Sequence, residues 1–423
     1  MTKRQLIIGF DLGDEYSQLS YAQNLIDEPE QLEIGSKDNA FLTPTAVGLL
    51  RDKKGWVYGW EAVQLAKENK VHLVTNLLDK IRKGHRIKIY GSLYDPIYLI
   101  ERFISNLFTQ LKVKWPSKSI RQMVVTIDEL DATIVRGVYK ALENLNIYRD
   151  RVQIRSYSNS YLAYVLSQER GIWANDVALF DFGQDKLTYS QISIERRNKP
   201  YLVNLVQKDY SDSISYKDID KVKESGNYDY ILENVINDAL YKQIISSIYF
   251  TGKGFIDGIS MKLVQKISKG RRIFIGQNLY CRGASYLARQ VAGGEKLSDF
   301  VFLLEDTSHN SVWININDNN RGKELVLMDL GKSIWEPPET IDLILDNESQ
   351  VNFLVRDKRG QTLIKDSIIL NDLPKRPKRT TRIEVSLEYI DKSRFKIKVK
   401  DRGFGDLYPA TDKLWEKEVV IHG

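Results

Sequence analysis

An apolar strand that carries an aspartate and is closed by a glycine occurs twice in this sequence. The first runs from Leu6 to Leu12 with Asp11 and Gly13, and the second from Val177 to Phe182 with Asp181 and Gly183, about 170 residues further on. Each is followed by a polar turn and a second strand, Ser17 to Ala22 and Leu187 to Ile194, so each predicts a hairpin. In a tight turn, backbone N–H groups can all point at one anion, and glycine lets the backbone come close, so such hairpins suit a phosphate. The plain alternative is that each aspartate caps its own turn. The turns also carry acids, Asp14 and Glu15 in the first and Asp185 in the second. Two like charges 4 Å apart cost roughly 4 kcal/mol at an effective dielectric of 20, which opposes phosphate unless Lys186 or a bound cation offsets it. A third glycine turn, Gly252-Lys253-Gly254, follows the strand Ile248 to Thr251. It lets a flat ligand lie against the backbone, or it is an ordinary strand-to-helix turn.

The elements that must position these turns alternate between strand and helix. Asp95-Pro96 starts a helix with a capping acid and a proline at the first helical position, and Ile100, Phe103, Ile104, Leu107, Phe108 and Leu111 recur at helical spacing. Met123 to Ile127 predicts a buried strand, with helices from about Ala132 to Leu145 and from about Ser158 to Glu169. Residues 206–228 are polar and poor in strand signals, and a long helical stretch from about Tyr230 to Ser247 follows. From Phe300 onward nearly every apolar run is short and alternating, which predicts an all-β domain of about 120 residues. The boundary falls near residue 300: an α/β domain over 1–299, with halves of about 1–175 and 176–299, precedes a β domain over 300–423. Ile383, Val385 and Leu387 set against Phe395, Ile397 and Val399 predict a hairpin with one buried face.

Composition narrows the function classes. Hydrophobic residues at 42% and charged residues at 28% describe a folded globular chain. The net charge of +6 is spread through a mixed-sign sequence, which argues against nucleic-acid binding. The one cysteine, Cys281, allows no intramolecular disulfide or cysteine zinc site and reads as a buried small residue in a helix. The histidines (His72, His85, His309 and His422) are scattered and form no helical metal pair. No apolar run approaches the roughly 20 residues of a membrane helix, and the first residues lack a signal-peptide core, so a cytoplasmic address and no membrane partner are expected. Asp181-Phe182-Gly183 spells a protein-kinase signature, but no His-Arg-Asp loop precedes it.

The order and spacing of these motifs resemble the actin, sugar kinase and heat-shock ATPase superfamily, and within it the seventy-kilodalton heat-shock chaperones. Gly9-Phe10-Asp11-Leu12-Gly13 is similar to that family's opening motif, Thr43-Pro44-Thr45-Ala46-Val47 to its next strand, and Ala163-Tyr164 to the end of its connecting helix. Asp181-Phe182-Gly183 resembles its second phosphate motif, and Asn278 to Ala284, with Gly283, its late helix. Leu373-Pro374-Lys375-Arg376-Pro377, Ile383-Glu384-Val385 and Asp401-Arg402-Gly403-Phe404-Gly405 resemble the chaperones' peptide-binding β-sandwich, as does Asp346-Asn347-Glu348.

The resemblance implies a two-lobed, ribonuclease H-like ATPase fold followed by an all-β sandwich. It also implies a site for ATP or ADP with Mg²⁺. Asp11 and Asp181 then hold the metal through water, and the contacts to nucleotide come from Gly13, Asp14, Gly183, Lys186, Gly252, Gly254 and Gly283. Lys80 stands where the family has its catalytic lysine, which makes Lys80 and Asp181 the catalytic candidates; a surface lysine in a basic helix end is the plain alternative. The departures are as informative. Asp14 and Glu15 replace two hydroxyl residues, Gly183-Gln184-Asp185-Lys186 replaces a glycine-rich turn, Ser156 stands where the family has its catalytic glutamate, and Lys253 replaces a glycine. Residues 195–245 are too few for the full adenosine-gripping subdomain. ATP hydrolysis is therefore expected to be weak or lost. The leading expectation is a chaperone-like protein that binds a protein or peptide through its β domain, with the nucleotide site regulatory, vestigial or empty of any cofactor. An active ATPase or kinase of the same superfamily, and an actin-like scaffold, are the competing readings. The basic run Lys375 to Arg382 reads as a solvated loop or as a contact for an anionic partner.

Overall fold

The computed structural model describes residues 5–34, 41–52, 54–183, 186–224, 226–256, 258–318, 321–346, 348–411 and 413–421. Gln184, Asp185, Asn347 and His422, singled out above, lie outside the described residues. The chain divides into two compact units, Met1–Phe300 and Val301–Gly423. The first is mixed α/β, and the described residues of the second hold strands and no α-helix. Among the described residues, no helix is long and apolar enough to cross a membrane.

In the first unit, β1 (Gln5–Leu12) and β2 (Tyr16–Ala22) form the first hairpin and are buried along almost their whole length. β3 (Glu30–Gln31) and β4 (Thr43–Pro44) pair with β2. The strands β5 (Val47–Leu50), β6 (Trp56–Tyr58) and β7 (Val71–Val74) make a small sheet against α1 (Gly59–Lys67). α2 (Leu77–Lys83) and the hairpin of β8 (Ile87–Ile89) and β9 (Ser92–Tyr94) lead into α3 (Pro96–Lys114). α3 starts as its residues dictate: the Asp95 side chain accepts a hydrogen bond from the Ile97 N–H, and Phe103, Ile104, Leu107 and Leu111 lie on its buried face. β10 (Ser119–Ile127), α4 (Ala132–Asn144), β11 (Val152–Ser156) and α5 (Tyr157–Leu166) complete this half. β10 and β11 add in parallel, which gives the strand order β11-β10-β1-β2-β3.

The second half repeats the plan. β12 (Asp176–Phe182) and β13 (Leu187–Glu195) form the second hairpin, and β14 (Tyr201–Asp209) pairs antiparallel with β13. After α6 (Ile219–Glu224) and α7 (Tyr228–Ala239) come β15 (Ile245–Thr251), α8 (Met261–Ile267), β16 (Arg272–Ile275) and α9 (Leu279–Val291). β15 and β16 are parallel to β12, so the order β16-β15-β12-β13-β14 matches that of the first sheet. The register matches as well, since Asp11 lies opposite Thr126 of β10 and Asp181 opposite Thr251 of β15. Two local expectations change. The helix expected over Tyr230 to Ser247 stops at Ala239, because Lys242 takes a left-handed φ of 59° and the chain then enters β15. β14 also runs into the stretch that looked poor in strand, up to Asp209.

α9 belongs by sequence to the second half but packs on β1 and α5 of the first. The Ser20 hydroxyl donates to the Cys281 carbonyl at 2.6 Å and lies 2.7 Å from the Ser285 hydroxyl. Gly283 sits against the backbone of Ser160, where a Cβ would overlap the Ser160 carbonyl. Gly283→Ala should therefore destabilise this unit by about 1–3 kcal/mol through overpacking, although alanine is the better helix former. Urea unfolding of the two proteins measures the difference, and a variant as stable as the parent would mean the two helices can part freely.

β17 (Phe300–Leu303) spans the division between the units. In the second unit, β18 (Ser311–Asp318), β19 (Arg321–Met328), β20 (Glu339–Leu345), β21 (Gln350–Arg356), β22 (Thr362–Ile369), β23 (Thr381–Asp391), β24 (Arg394–Gly403) and β25 (Leu414–Val420) build two four-stranded sheets. Their orders are β19-β18-β21-β22 and β20-β23-β24-β25. Both sheets contribute to one core, in which Val312, Phe353 and Val355 meet Ile383, Phe395 and Val399. The alternation read from the sequence fixes this hairpin's buried face, with Val385 opposite Val399 and Leu387 opposite Ile397. The basic run is not wholly solvated. Arg376 turns inward and binds the fully buried Asp401 with two parallel bonds of 2.7 and 2.8 Å.

Candidate functional site

The ends of β1 and β12 face one cleft of about 800 Å³ in the first unit, lined among others by Asp11, Gly13, Asp14, Asp181, Gly183 and Gly252. Both hairpin turns are built alike. The Gly13 N–H donates to the Tyr16 carbonyl at 3.2 Å, and the Gly183 N–H donates to the Lys186 carbonyl at 3.0 Å. Each glycine N–H that a phosphate turn would offer is thus engaged within its own turn.

The two aspartates are each met by a tyrosine. The Tyr157 hydroxyl donates to Asp11 Oδ1 at 2.7 Å, and the Tyr280 hydroxyl donates to Asp181 Oδ2 at 2.5 Å. Tyr157 opens α5, and Tyr280 lies in the first turn of α9, so each tyrosine heads the helix that closes its half of the repeat. Their rings stack with centroids 3.8 Å apart and planes 15° from parallel. Burial pushes the Asp11 carboxyl up to about 7. The bond from Tyr157 pulls it down, and the nearby charges of Asp181 and Asp128 push it up again. Burial likewise pushes the Asp181 carboxyl up to about 6. Burial also raises both phenols well above their ordinary range, so the tyrosines stay protonated and donate.

Asp14 acts as a cap. Its Oδ1 accepts from the Leu78 N–H at 2.8 Å and the Asp79 N–H at 3.4 Å, so it satisfies the start of α2. Asn76, at the N-cap position, has a left-handed φ of 52° and makes no side-chain cap bond of its own. Lys80 lies on α2 but does not line the cleft; Arg82 does, and it binds Asp131 Oδ2 at 2.8 Å. Lys186 binds Glu129 Oε1 at 2.8 Å and Asp128 Oδ2 at 3.3 Å, and Lys253 binds Glu15 Oε1 at 3.5 Å. Among the described residues, every basic side chain that lines the cleft is therefore held by a carboxylate.

Gly252 belongs to the cleft by necessity. Its φ is 91°, and a Cβ there would overlap the Asp181 carboxylate. The Gln277 side chain binds its backbone from both sides, donating to the Gly252 carbonyl at 3.0 Å and accepting from its N–H at 3.2 Å. Gly254 is packed against the Phe182 ring and Gly283 against α5, and neither lines the cleft. Ser156 caps α5 by accepting from the Asn159 N–H. Cys281 is fully buried, and burial pushes its thiol up to about 12, which makes it unreactive.

Residues 28–305 match the model of a family of unknown function (DUF5716), C-terminal. This match covers more than half of the chain. The chain belongs to the DUF5716 family. Residues 307–421 of this DUF5716 protein match a second model, a domain of unknown function (DUF8552). No curated protein matches the chain.

The cleft of this DUF5716 protein can be tested for fit to the Mg²⁺–nucleotide that the resemblance implies. Magnesium held through water needs carboxylates free to accept from that water. Here each aspartate accepts from a tyrosine through one of its two oxygens, Asp11 Oδ1 and Asp181 Oδ2, and no group of three or more metal-ligating side chains is found among the described residues. A triphosphate needs unspent cations, yet Arg82, Lys186 and Lys253 are all bound to acids. Among the described residues, the cleft therefore offers a triphosphate no basic side chain that is not already paired with an acid. Sequence reading missed Tyr157, Tyr280, Asp128, Glu129, Arg82 and Gln277. The available signal for the tyrosines was positional, since the repeat that relates Asp11 to Asp181 also brings a tyrosine to the start of each half's last helix.

Proposed function

We propose that this DUF5716 protein is a divergent relative of the heat-shock chaperone ATPases that no longer hydrolyses ATP and acts as a binding protein. One observation carries the reading: the two hairpin aspartates of a duplicated fold share a cleft in which each accepts a hydrogen bond from a tyrosine hydroxyl and, among the described residues, every lining basic side chain is held by a carboxylate. The matching strand orders and the matching Asp–Thr registers support an actin-like, two-lobed ancestry. The common core of the two C-terminal sheets supports the sandwich reading of the second unit. Among the described residues, its outer strands β19, β20, β22 and β25 each leave one edge without a neighbour in their own sheet, the feature by which a sheet adds an extended peptide. The partner on this reading is an unfolded or extended polypeptide.

Calorimetry of the full chain with ATP and Mg²⁺ should show no saturable heat up to about 1 mM, and phosphate release should stay at the blank rate. An unfolded, fluorescent model peptide should bind the full chain and be competed by unlabelled peptide. Micromolar ATP affinity with turnover would replace this reading with the ATPase one, and failure of every unfolded peptide to bind would remove the chaperone part.

A further inference from the structure

The two ion pairs at the mouth of the cleft are not independent surface pairs. Thr126 and Thr251 occupy the same place in the two sheets, each opposite the hairpin aspartate. Counting two residues on from each, Asp128 and Lys253 are equivalent positions of the repeat. Asp128 lies 3.3 Å from Lys186, in the hairpin turn of the second sheet, and Lys253 lies 3.5 Å from Glu15, in the hairpin turn of the first. Each pair therefore joins one sheet's central loop to the other sheet's hairpin, and the charges are inverted between the two. Glu129 strengthens the first pair, with a 2.8 Å bond to Lys186. The stacked rings of Tyr157 and Tyr280 lie in the same cleft.

The geometry points to a reciprocal ionic latch: Lys186 with Asp128 and Glu129, and Lys253 with Glu15, hold the two halves of the first unit closed over the cleft without any ligand. This rests on the geometry alone and holds whether or not the cleft takes a nucleotide. Lys186 is about one-third exposed and its partners more so, and Lys253 and Glu15 are each 29% exposed. Pairs of that exposure shift an equilibrium by about two- to fivefold each, so the two together shift the open-to-closed ratio by roughly 4- to 25-fold. Screening shortens the reach of each charge from about 10 Å at 0.1 M salt to about 3 Å at 1 M, so salt opens the latch.

The experiment uses distances between spin labels. Cys281 is buried and its thiol is held protonated, so labels go selectively to an added pair, Lys140→Cys on α4 and Lys262→Cys on α8, both exposed. In the labelled full chain at low salt, a distribution dominated by a short distance, with a minor longer population, is expected. Lys186→Glu and Lys253→Glu should each add a longer population several-fold larger than in the parent, and 1 M salt should do the same to the parent. The swap Lys253→Glu with Glu15→Lys should return the short distance, which a merely structural role for Lys253 would not do. Identical distributions in the parent, both single variants and high salt would overturn the latch, as would a swap that leaves the distances as long as in Lys253→Glu.

Discussion

Asp11→Asn should make the first unit more stable at pH 8. Asp11 is 6% exposed and its carboxyl is pushed up to about 7 by burial, from about 3.9 in an unfolded chain. The native state therefore keeps a proton that the unfolded chain gives up between pH 4 and 7. With fewer protons on the unfolded chain, stability falls as pH rises through that window. By pH 8 the ionised Asp11 costs on the order of 2–4 kcal/mol, at about 1.4 kcal/mol for each tenfold change in proton affinity. Asparagine keeps the oxygen that accepts from Tyr157 and removes the charge. The expected gain is about 1–3 kcal/mol at pH 8, seen as a thermal midpoint raised by several degrees, and it should shrink toward zero at pH 4. Calorimetric scans of both proteins from pH 4 to 8 make the measurement. A lower midpoint for Asp11→Asn at pH 8 would mean that the charge is compensated by something other than the contacts described. Asp181→Asn should act in the same direction over a narrower window, because its carboxyl reaches only about 6.

A buried carboxylate pair that lowers stability is what a binding cleft retains and a packing core discards. That ties the stability expectation to the site. Asp11 and Asp181, whose charge the fold tolerates at a cost, are the groups that Tyr157 and Tyr280 meet in the cleft.

The sequence makes some of this legible and hides the rest for physical reasons. The two hairpins stand out because apolar strands that carry aspartate and end in glycine are strong local signals, and their spacing announces a repeat. The capping of α3 by Asp95 is equally local. Asp14 is harder to read. Its acid looks like repulsion in a phosphate turn until α2, 64 residues away in the chain, brings its N–H groups to it. Lys80 and Arg82 differ by two positions on a short helix whose phase is set by Leu77, Leu78 and Ile81 packing inward, so the residue that reaches the cleft depends on tertiary contact. Tyrosine is at home in cores as well as in sites, so Tyr157 and Tyr280 carry no signal of their own type. The break after α7 is invisible because a lysine, not a glycine, takes the left-handed turn.

The largest loss is expected in the other unit, from Asp401→Asn. Asp401, on β24, is fully buried. It accepts two bonds from Arg376, one from the Gly403 N–H at 3.0 Å, and two from Thr411 at 3.0 and 2.7 Å. These bonds outweigh its burial and hold its carboxyl well below the usual carboxylate range. Arg376 is only 5% exposed at its side chain, so asparagine would leave a guanidinium buried without its counter-charge. Breaking one partner of such a pair costs about 3–5 kcal/mol, which for a unit of this size lowers its midpoint by more than about 10 °C. The pH dependence has the opposite sign to that of Asp11. Because the folded carboxyl is depressed, its stabilisation is fully present above pH 5 and is lost as the pH falls below about 4. The gap between parent and Asp401→Asn should therefore be widest at neutral pH and narrow toward pH 2, whereas the gap for Asp11→Asn narrows as pH falls from 8 to 4. Calorimetry of the full chain can read both if the units melt separately. An Asp401→Asn midpoint within a degree of the parent at pH 7 would show that Arg376 finds water when its partner is gone, and that the loop from Lys375 to Arg382 is as solvated as its composition suggests.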